Sequence, residues 1–330
     1  MVANSIVSWQ DAEVVSVEQI ADGIARIVLR PQHPKKVRAG EHIDIEVPTA
    51  DGPLKRSYSI VEQLDDGRSF ALSVFRTPTS RGGSEGMHEL TPGQHVRITS
   101  PLQDFPLRIG APRYVLLAGG IGITAIVGMA RALRAVKADY RLIYCGRSRP
   151  AMAYLEKLRE EHGDRFELHV DDEGTGLDVP ALVGGLEERS ELYMCGPIRL
   201  MDAVRRAWSD SGQAPSDLRF ETFGSSGWFD PEPFRVSIPR LGVEVEVGRD
   251  ESMLEALERQ GVPMMSDCRK GECGICQVTV QSVEGTVDHR DVFFSARQKA
   301  ETPPRRACAC VSRVAADSGC SHPALSIDVG

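Results

Sequence analysis

The sequence predicts a multi-domain chain: an antiparallel β-barrel, then an α/β doubly wound parallel sheet, then a small α+β unit. Three observations carry this. Short alternating runs fill residues 1–110, strand and helix periods alternate through 111–225, and a glycine-bearing cysteine loop, Asp267 to Cys276, lies within 234–330. A chain of 330 residues is too long for one ordinary domain. Charged residues at 26% and apolar ones at 41% give an ordinary soluble composition. The formal net charge of −8 leaves no basic footprint for nucleic acid. No apolar run reaches the roughly 18 residues that span a membrane. The N-terminal MVANSIVSWQD lacks the charged and apolar regions of a signal peptide, which points to the cytoplasm. Eight cysteines in such a chain are expected to be free, metal-binding or catalytic.

In the first segment, AEVVSVEQI, GIARIVLRP, HIDIEVP, RSYSIVEQ, FALSVFR and HVRITSP read as six strands separated by Gly, Pro and Asp turns. Strands at that spacing suggest a closed antiparallel barrel. Two stretches in it carry chemistry. RSYS, Arg56 to Ser59, joins a cation, a phenol ring and hydroxyls at a strand start. RGGSEGMHEL, Arg81 to Leu90, leads through Gly82, Gly83 and Ser84 into a short helix. Free N–H groups at such a helix start, with Arg81 beside them, suit a phosphate. Either stretch alone also reads as a surface turn and an N-cap.

The second segment changes period. YVLLAGG then GITAIVGMARALRAV fits strand, glycine turn and amphipathic helix, and three further rounds follow before LRFETF closes the set. Such alternation implies a parallel sheet with right-handed crossovers, which binds ligands outside the carboxyl ends of its strands. The loops at that edge are Gly119 to Thr124, Gly146 to Arg149, and Cys195 to Pro197. GGIGIT departs from the G-x-G-x-x-G fingerprint but lets a pyrophosphate approach backbone N–H groups. For Cys195 a buried apolar role competes with a ligand-facing one.

GWFDPEP, around 226–233, reads as an exposed linker. Beyond it come a hairpin, FRVSIPRLGVEVEVG, and a helix capped by Ser252 and stopped by Gly261. Then Cys268, Cys273 and Cys276 stand in C-x4-C-x2-C spacing, the plant-type pattern for a [2Fe-2S] cluster. Gly271 and Gly274 let the loop turn tightly while thiolates wrap two irons. Structural zinc favours paired C-x2-C knuckles, and this loop holds one such pair. The fourth ligand is Cys308 or Cys310.

RSYS, RGGS, DFPL (104–107), GGIGIT, YCGRS (144–148), YMCGP (193–197) and CRKGECGIC together resemble the phthalate dioxygenase reductase family, in order, along nearly the whole chain. The resemblance implies an FMN-binding barrel at 1–110, an NAD-binding domain at 111–225, a linker at 226–233 and a β-grasp plant-type ferredoxin domain at 234–330. It implies that Arg56 holds the FMN phosphate together with Arg81, Gly82, Gly83 and Ser84. Tyr58 then lies against the flavin ring with Ser59 at its edge, and Ser57 belongs to the same cofactor-binding motif. Gly119, Gly120, Gly122 and Thr124 bracket the NADH pyrophosphate, and Cys195, Gly196 and Pro197 sit by the nicotinamide. Glu221 and Phe223 end that domain near the flavin, where Phe223 either shields the ring or packs in the core. The position before Val-Ser-Arg favours Cys310 as the fourth metal ligand.

The implied activity is an NADH-dependent oxidoreductase that passes electrons through FMN and a [2Fe-2S] cluster to a separate Rieske-type terminal oxygenase. A cytochrome P450 or other acceptor protein is the alternative, and a binding-only sensor would lack the nucleotide site. Arg147 and Arg149 could meet the 2′-phosphate of NADPH; the family's habit keeps NADH, with Arg147 at the nucleotide. Cys145 and Cys320 have no assigned role. SARQKAETPPRR is long for the family and is expected at the surface.

Overall fold

The computed structural model describes residues 7–49, 52–78, 82–223, 227–317 and 322–329. Arg81 and Cys320 lie outside the described residues. The chain forms two compact units, one of Met1–Gly196 with Ala207–Glu221, the other of Pro197–Arg206 with Thr222–Gly330.

The first unit opens with β1 (Trp9–Ala21), β2 (Ile24–Pro31), β3 (Glu41–Val47), β4 (Leu54–Ser59), β5 (Glu62–Leu64) and β6 (Ser69–Phe75). A short helix α1 (Gly83–His88) precedes β7 (His95–Thr99) and β8 (Leu102–Gln103). The antiparallel strands run in the order β4-β3-β7-β1-β2-β6-β5, with β8 beside β3. RSYSIVEQ, expected as one strand, breaks at Ile60 and Val61 into β4 and β5, which end up at opposite ends of that order. Six strand spacings would separate those ends by about 29 Å in a flat sheet, whereas the link from Ser59 to Glu62 reaches only about 11 Å. The sheet therefore curls into a barrel. Ile60 N–H donates to Glu41 O and Val61 N–H to Ala71 O, both at 2.9 Å, across the seam. Val14, Ile27, Leu29, Ile43, Ile45, Leu72 and Ile98 fill the interior.

The parallel sheet follows: β9 (Arg113–Gly119), α2 (Ile123–Ala135), β10 (Tyr140–Gly146), α3 (Leu155–His162), β11 (Phe166–Val170), α4 (Val179–Gly184), β12 (Ser190–Cys195), α5 (Ile198–Ser211) and β13 (Leu218–Glu221). Strand order is β11-β10-β9-β12-β13, so the order reverses at β9. Leu116, Leu117 and Ala118 are fully buried, as a strand covered on both faces requires. Barrel and sheet are joined by charge. Glu62 of β5 takes Arg26 at 2.8 Å, Lys157 at 3.0 Å and Arg131 at 3.4 Å. Burial opposes its ionisation, but the Arg26 and Lys157 hydrogen bonds hold its carboxyl below the usual range. Asp22 N–H also donates to Pro150 O at 2.7 Å, and Tyr154 Oη bonds Ser73 Oγ.

In the second unit, β14 (Phe234–Ile238) and β15 (Val243–Val247) make the expected hairpin, and α6 (Met253–Arg259) crosses its sheet. Ser252 Oγ accepts from Glu255 N–H at 3.2 Å while Glu255 returns to Ser252 N–H at 2.8 Å, a reciprocal cap. Then come β16 (Gln277–Glu284), β17 (Thr286–Asp288), α7 (Ala296–Lys299), β18 (Arg306–Cys308), β19 (Arg313–Ala315) and β20 (Ala324–Asp328). The sheet order is β15-β14-β20-β16-β18, with β14 and β20 parallel. Leu254 and Leu257 of α6 pack on Val236, Val278 and Ile327.

The described part of the expected linker is not a free crossing. Asp288 accepts from Trp228 N–H at 3.0 Å and from Phe229 N–H at 3.4 Å, and Arg290 donates to Phe229 O at 2.8 Å. Asp288 and Arg290 are themselves buried and paired at 2.8 Å. A buried ion pair needs its remaining hydrogen bonds filled, and the passing backbone fills them. Among the described residues no helix is long and apolar enough to cross a membrane.

Candidate functional site

Strand alternation puts Arg56 and Tyr58 on one face of β4, in register with Ile45 and Ile43. Ser57 and Ser59 point to the other face, where Ser57 Oγ donates to Asp44 Oδ1 at 2.5 Å. Asp44 also pairs with Lys55 at 2.8 Å. The Arg56 stem lies across the start of α1: a Cβ added to Gly83 would stand 2.7 Å from its Nε. The two motifs read separately in the sequence thus meet, with Gly82 turning the chain at φ +80°. Ser84 Oγ accepts from Thr77 N–H at 3.1 Å. Burial raises the Tyr58 phenol above its ordinary range, against the pull of the Arg56 charge.

At the reversal of strand order, Gly120 takes φ +53° and the turn Gly120–Gly122 runs into α2. A Cβ on Gly122 would lie 2.2 Å from the Cys195 carbonyl oxygen, and one on Gly196 would lie 3.0 Å from Gly119 Cα. The loops after β9 and β12 therefore touch backbone to backbone. Thr124 Oγ1 donates to Ile121 O at 3.0 Å and stiffens the turn. Cys195 is fully buried, and Glu221, its register partner on β13, is 5% exposed. Phe223 is 37% exposed, so it is not a core residue. After β10, Arg149 is engaged twice by Glu173, at 2.5 and 2.9 Å, whereas Arg147 is exposed. The Cys145 thiol, pushed up to about 12 by burial and by Asp171 and Glu167, stays protonated.

The cysteine loop brings its sulfurs together in two groups. Glu272 and Cys273 N–H both donate to Cys268 Sγ at 3.4 Å, and the Cys273 thiol interacts directly with Cys268. Cys276 receives hydrogen bonds from the Cys308 and Cys310 thiols, which pull it down to about 3 and push those two up. Cys310 also interacts with Cys268 and with the backbone of Gly271 in the loop. Cys308 is completely buried and feels the Asp291 charge instead. Among the described residues no group of three or more His, Cys, Asp or Glu stands ready-made around a metal-ion position. A two-iron cluster takes its thiolates as two pairs, and this donor set fits that demand. Gly271 at φ +80° and Gly274 at φ +71° let the loop lie against Asp291 and the Phe293 ring.

The profile of the 2Fe-2S iron-sulfur cluster binding domain matches residues 236–315. The toluene-4-sulfonate monooxygenase system reductase subunit of Comamonas testosteroni is 34% identical over 91% of this chain and 94% of its own length. The solved structure of phthalate dioxygenase reductase superposes with a TM-score of 0.71 at 29% identity, covering 97% of this chain and 98% of that one. The chain belongs to the phthalate dioxygenase reductase family. As a member of the phthalate dioxygenase reductase family it is an oxidoreductase, the reductase component of a multicomponent oxygenase, using NADH, a flavin and a [2Fe-2S] cluster. The barrel, the doubly wound sheet and the ferredoxin unit agree with that membership. An intact type IV self-sufficient cytochrome P450 monooxygenase is also similar, at 34% identity and a TM-score of 0.65. This chain spans 41% of that protein's length.

Residues that reading the sequence passed over include Asp44, Glu62, Thr222, Asp288 and Arg290. Charged positions inside strand-like runs, such as DHRD at 288–291, were the signal for the last two.

Proposed function

We propose that the separate acceptor is a Rieske-type terminal oxygenase, served in the cytoplasm by four segments: FMN barrel 1–110, NAD domain 111–225, linker 226–233 and ferredoxin domain 234–330. The observation that supports the reading is the gathering of Cys268 with Cys273, and of Cys276 with both Cys308 and Cys310, around one glycine-bearing loop. Such a donor set would hold two irons, with Cys310, which also interacts with Cys268 and the Gly271 backbone, as the fourth ligand in preference to the completely buried Cys308. When bound, the flavin would accept one hydride, two electrons together, from NADH and pass those electrons singly to the cluster.

The chain's own residues bind and orient. Arg56, with Gly82, Gly83, Ser84 and Arg81, holds the FMN phosphate, and its position across the start of α1 supports this. Tyr58 lies against the ring system; Ser57 and Ser59, on the opposite strand face, contribute through backbone groups. Gly119, Gly120, Gly122 and Thr124 shape the pyrophosphate turn, and Arg147 reaches the nucleotide's ribose end. Cys195, Gly196 and Pro197 border the nicotinamide, with Glu221 and the half-exposed Phe223 closing the stretch beside it.

A second reading, with a haem monooxygenase as acceptor, draws on the likeness to the self-sufficient cytochrome P450 protein. The full-length match to a reductase subunit favours the first. The test is reconstitution. Purified protein should release about one FMN per chain and, after NADH, show a rhombic EPR signal. It should then reduce a Rieske oxygenase faster than a P450. Zinc in place of iron would overturn the cluster reading, and faster P450 reduction would overturn the choice of acceptor.

A further inference from the structure

Thr222 is the first residue after β13, and it is almost completely buried at 3% exposure. Its N–H and its hydroxyl are both spent on the cysteine loop. Its N–H donates to Glu272 Oε1 at 2.7 Å and its hydroxyl donates to Lys270 O at 2.7 Å. Lys270 Nζ meets the other Glu272 oxygen at 3.3 Å, so the accepting carboxylate is fixed by charge. Glu272 N–H in turn points at Cys268 Sγ. The far side of the same loop is bolted down separately: Val292 N–H donates to Gly271 O at 2.9 Å, and a Cβ on Gly271 would meet Asp291 Cα at 2.8 Å.

We infer that Thr222 and Glu272 are positioning residues for the flavin-to-cluster step, an assignment that rests on the cluster reading above. That step moves one electron from the reduced flavin to the oxidised cluster, with NADH as the source of the pair. Neither residue touches the reacting groups. Each acts through the loop that carries Cys268, fixing that loop to Thr222 within the same unit. A loop held by one side only would sample misplaced geometries, and small misplacements are costly for a reaction that depends on approach.

The experiment is stopped-flow mixing of the holoenzyme with NADH, comparing wild type with Thr222→Val, Thr222→Ser and Glu272→Ala. Flavin reduction should keep its wild-type rate in all four, while cluster reduction slows about tenfold in Thr222→Val and Glu272→Ala. Thr222→Ser, which keeps both bonds, should restore it. Amide hydrogen exchange over residues 268–273 supplies a readout apart from activity. It should speed up about fivefold in Thr222→Val, also in protein stripped of cofactors, and return to wild type in Thr222→Ser. Wild-type transfer and exchange in Thr222→Val would overturn the inference, as would a serine variant that behaves like valine. Loss of the cluster from Thr222→Val would overturn it too, by showing a role in retention. A wild type without flavin bleaching or a cluster signal would instead sink the reading on which the inference rests.

Discussion

The turn at Gly120–Gly122 and the loop from Cys268 to Cys276 are both built on glycine, yet different things hold them. Gly122 is pressed against backbone, 2.2 Å from the Cys195 carbonyl oxygen by its missing Cβ, between strands of a finished sheet. Gly274 lies under the ring of Phe293, a side chain 40% exposed, at a φ only glycine adopts cheaply. The first shape follows from hydrogen-bonded strands and is complete without a ligand. The second sits outside regular structure, with two amides aimed at Cys268 Sγ 3.4 Å away, and its thiols are arranged for metal. The Gly120–Gly122 turn is therefore part of the fold, and the cysteine loop is finished by what it binds.

The strongest way to break this contrast is to remove one ligand. Cys310→Ser should abolish the cluster's visible absorbance and EPR signal while NADH still reduces the flavin at the wild-type rate. Cys308→Ser should keep the cluster, because of the two candidate thiols Cys310 is the one that also interacts with Cys268 and the Gly271 backbone. Cluster loss from the Cys308 variant with retention in the Cys310 variant would reassign the fourth ligand.

Next in size is the turn itself. In Gly122→Ala the new methyl meets a carbonyl that belongs to β12, so the two loops must part. Overpacking of this kind costs about 1–3 kcal/mol, and the NADH KM should rise about tenfold with the EPR signal unchanged. Gly120→Ala is the milder partner. No atom lies within 4 Å of its new methyl, so only the positive φ is penalised, by about 1–2 kcal/mol. Its KM should move less than that of Gly122→Ala in the same titration. The opposite ranking would mean that backbone conformation, not contact, sets the turn.

Much of this was legible in advance because the signals were local. The switch from period two to period 3.6 gave the barrel and the doubly wound sheet, and C-x4-C-x2-C gave the cluster. What stayed hidden depends on partners distant in sequence. Nothing in RSYSIVEQ shows that its break at Ile60 closes a barrel, since the seam is with Glu41 and Ala71. GWFDPEP has the composition of a linker, and its capture by Asp288 lies 60 residues away. Cys308 and Cys310 differ only in which way a strand end turns. Thr222 between Glu221 and Phe223 looked like filler, because its hydroxyl partner, a carbonyl at Lys270, has no side-chain signature.

The smallest effect sharpens the contrast from the fold side. Glu62 joins barrel to sheet through Arg131 and Lys157 and pairs with Arg26 inside the barrel. Its carboxyl titrates lower in the folded protein than the roughly 4.3 of an unfolded chain. A depressed carboxylate stabilises fully above the unfolded value, and that stabilisation is lost as pH falls through the folded one. Glu62→Gln should therefore release its flavin about 1–3 °C earlier on heating at pH 7, and the gap to wild type should close below about pH 4. The EPR spectrum at pH 7 should not change, since the cysteine loop belongs to the other unit. A gap that persists in acid would show that the carboxamide fails by shape, and the joint would then be one of packing and not of charge.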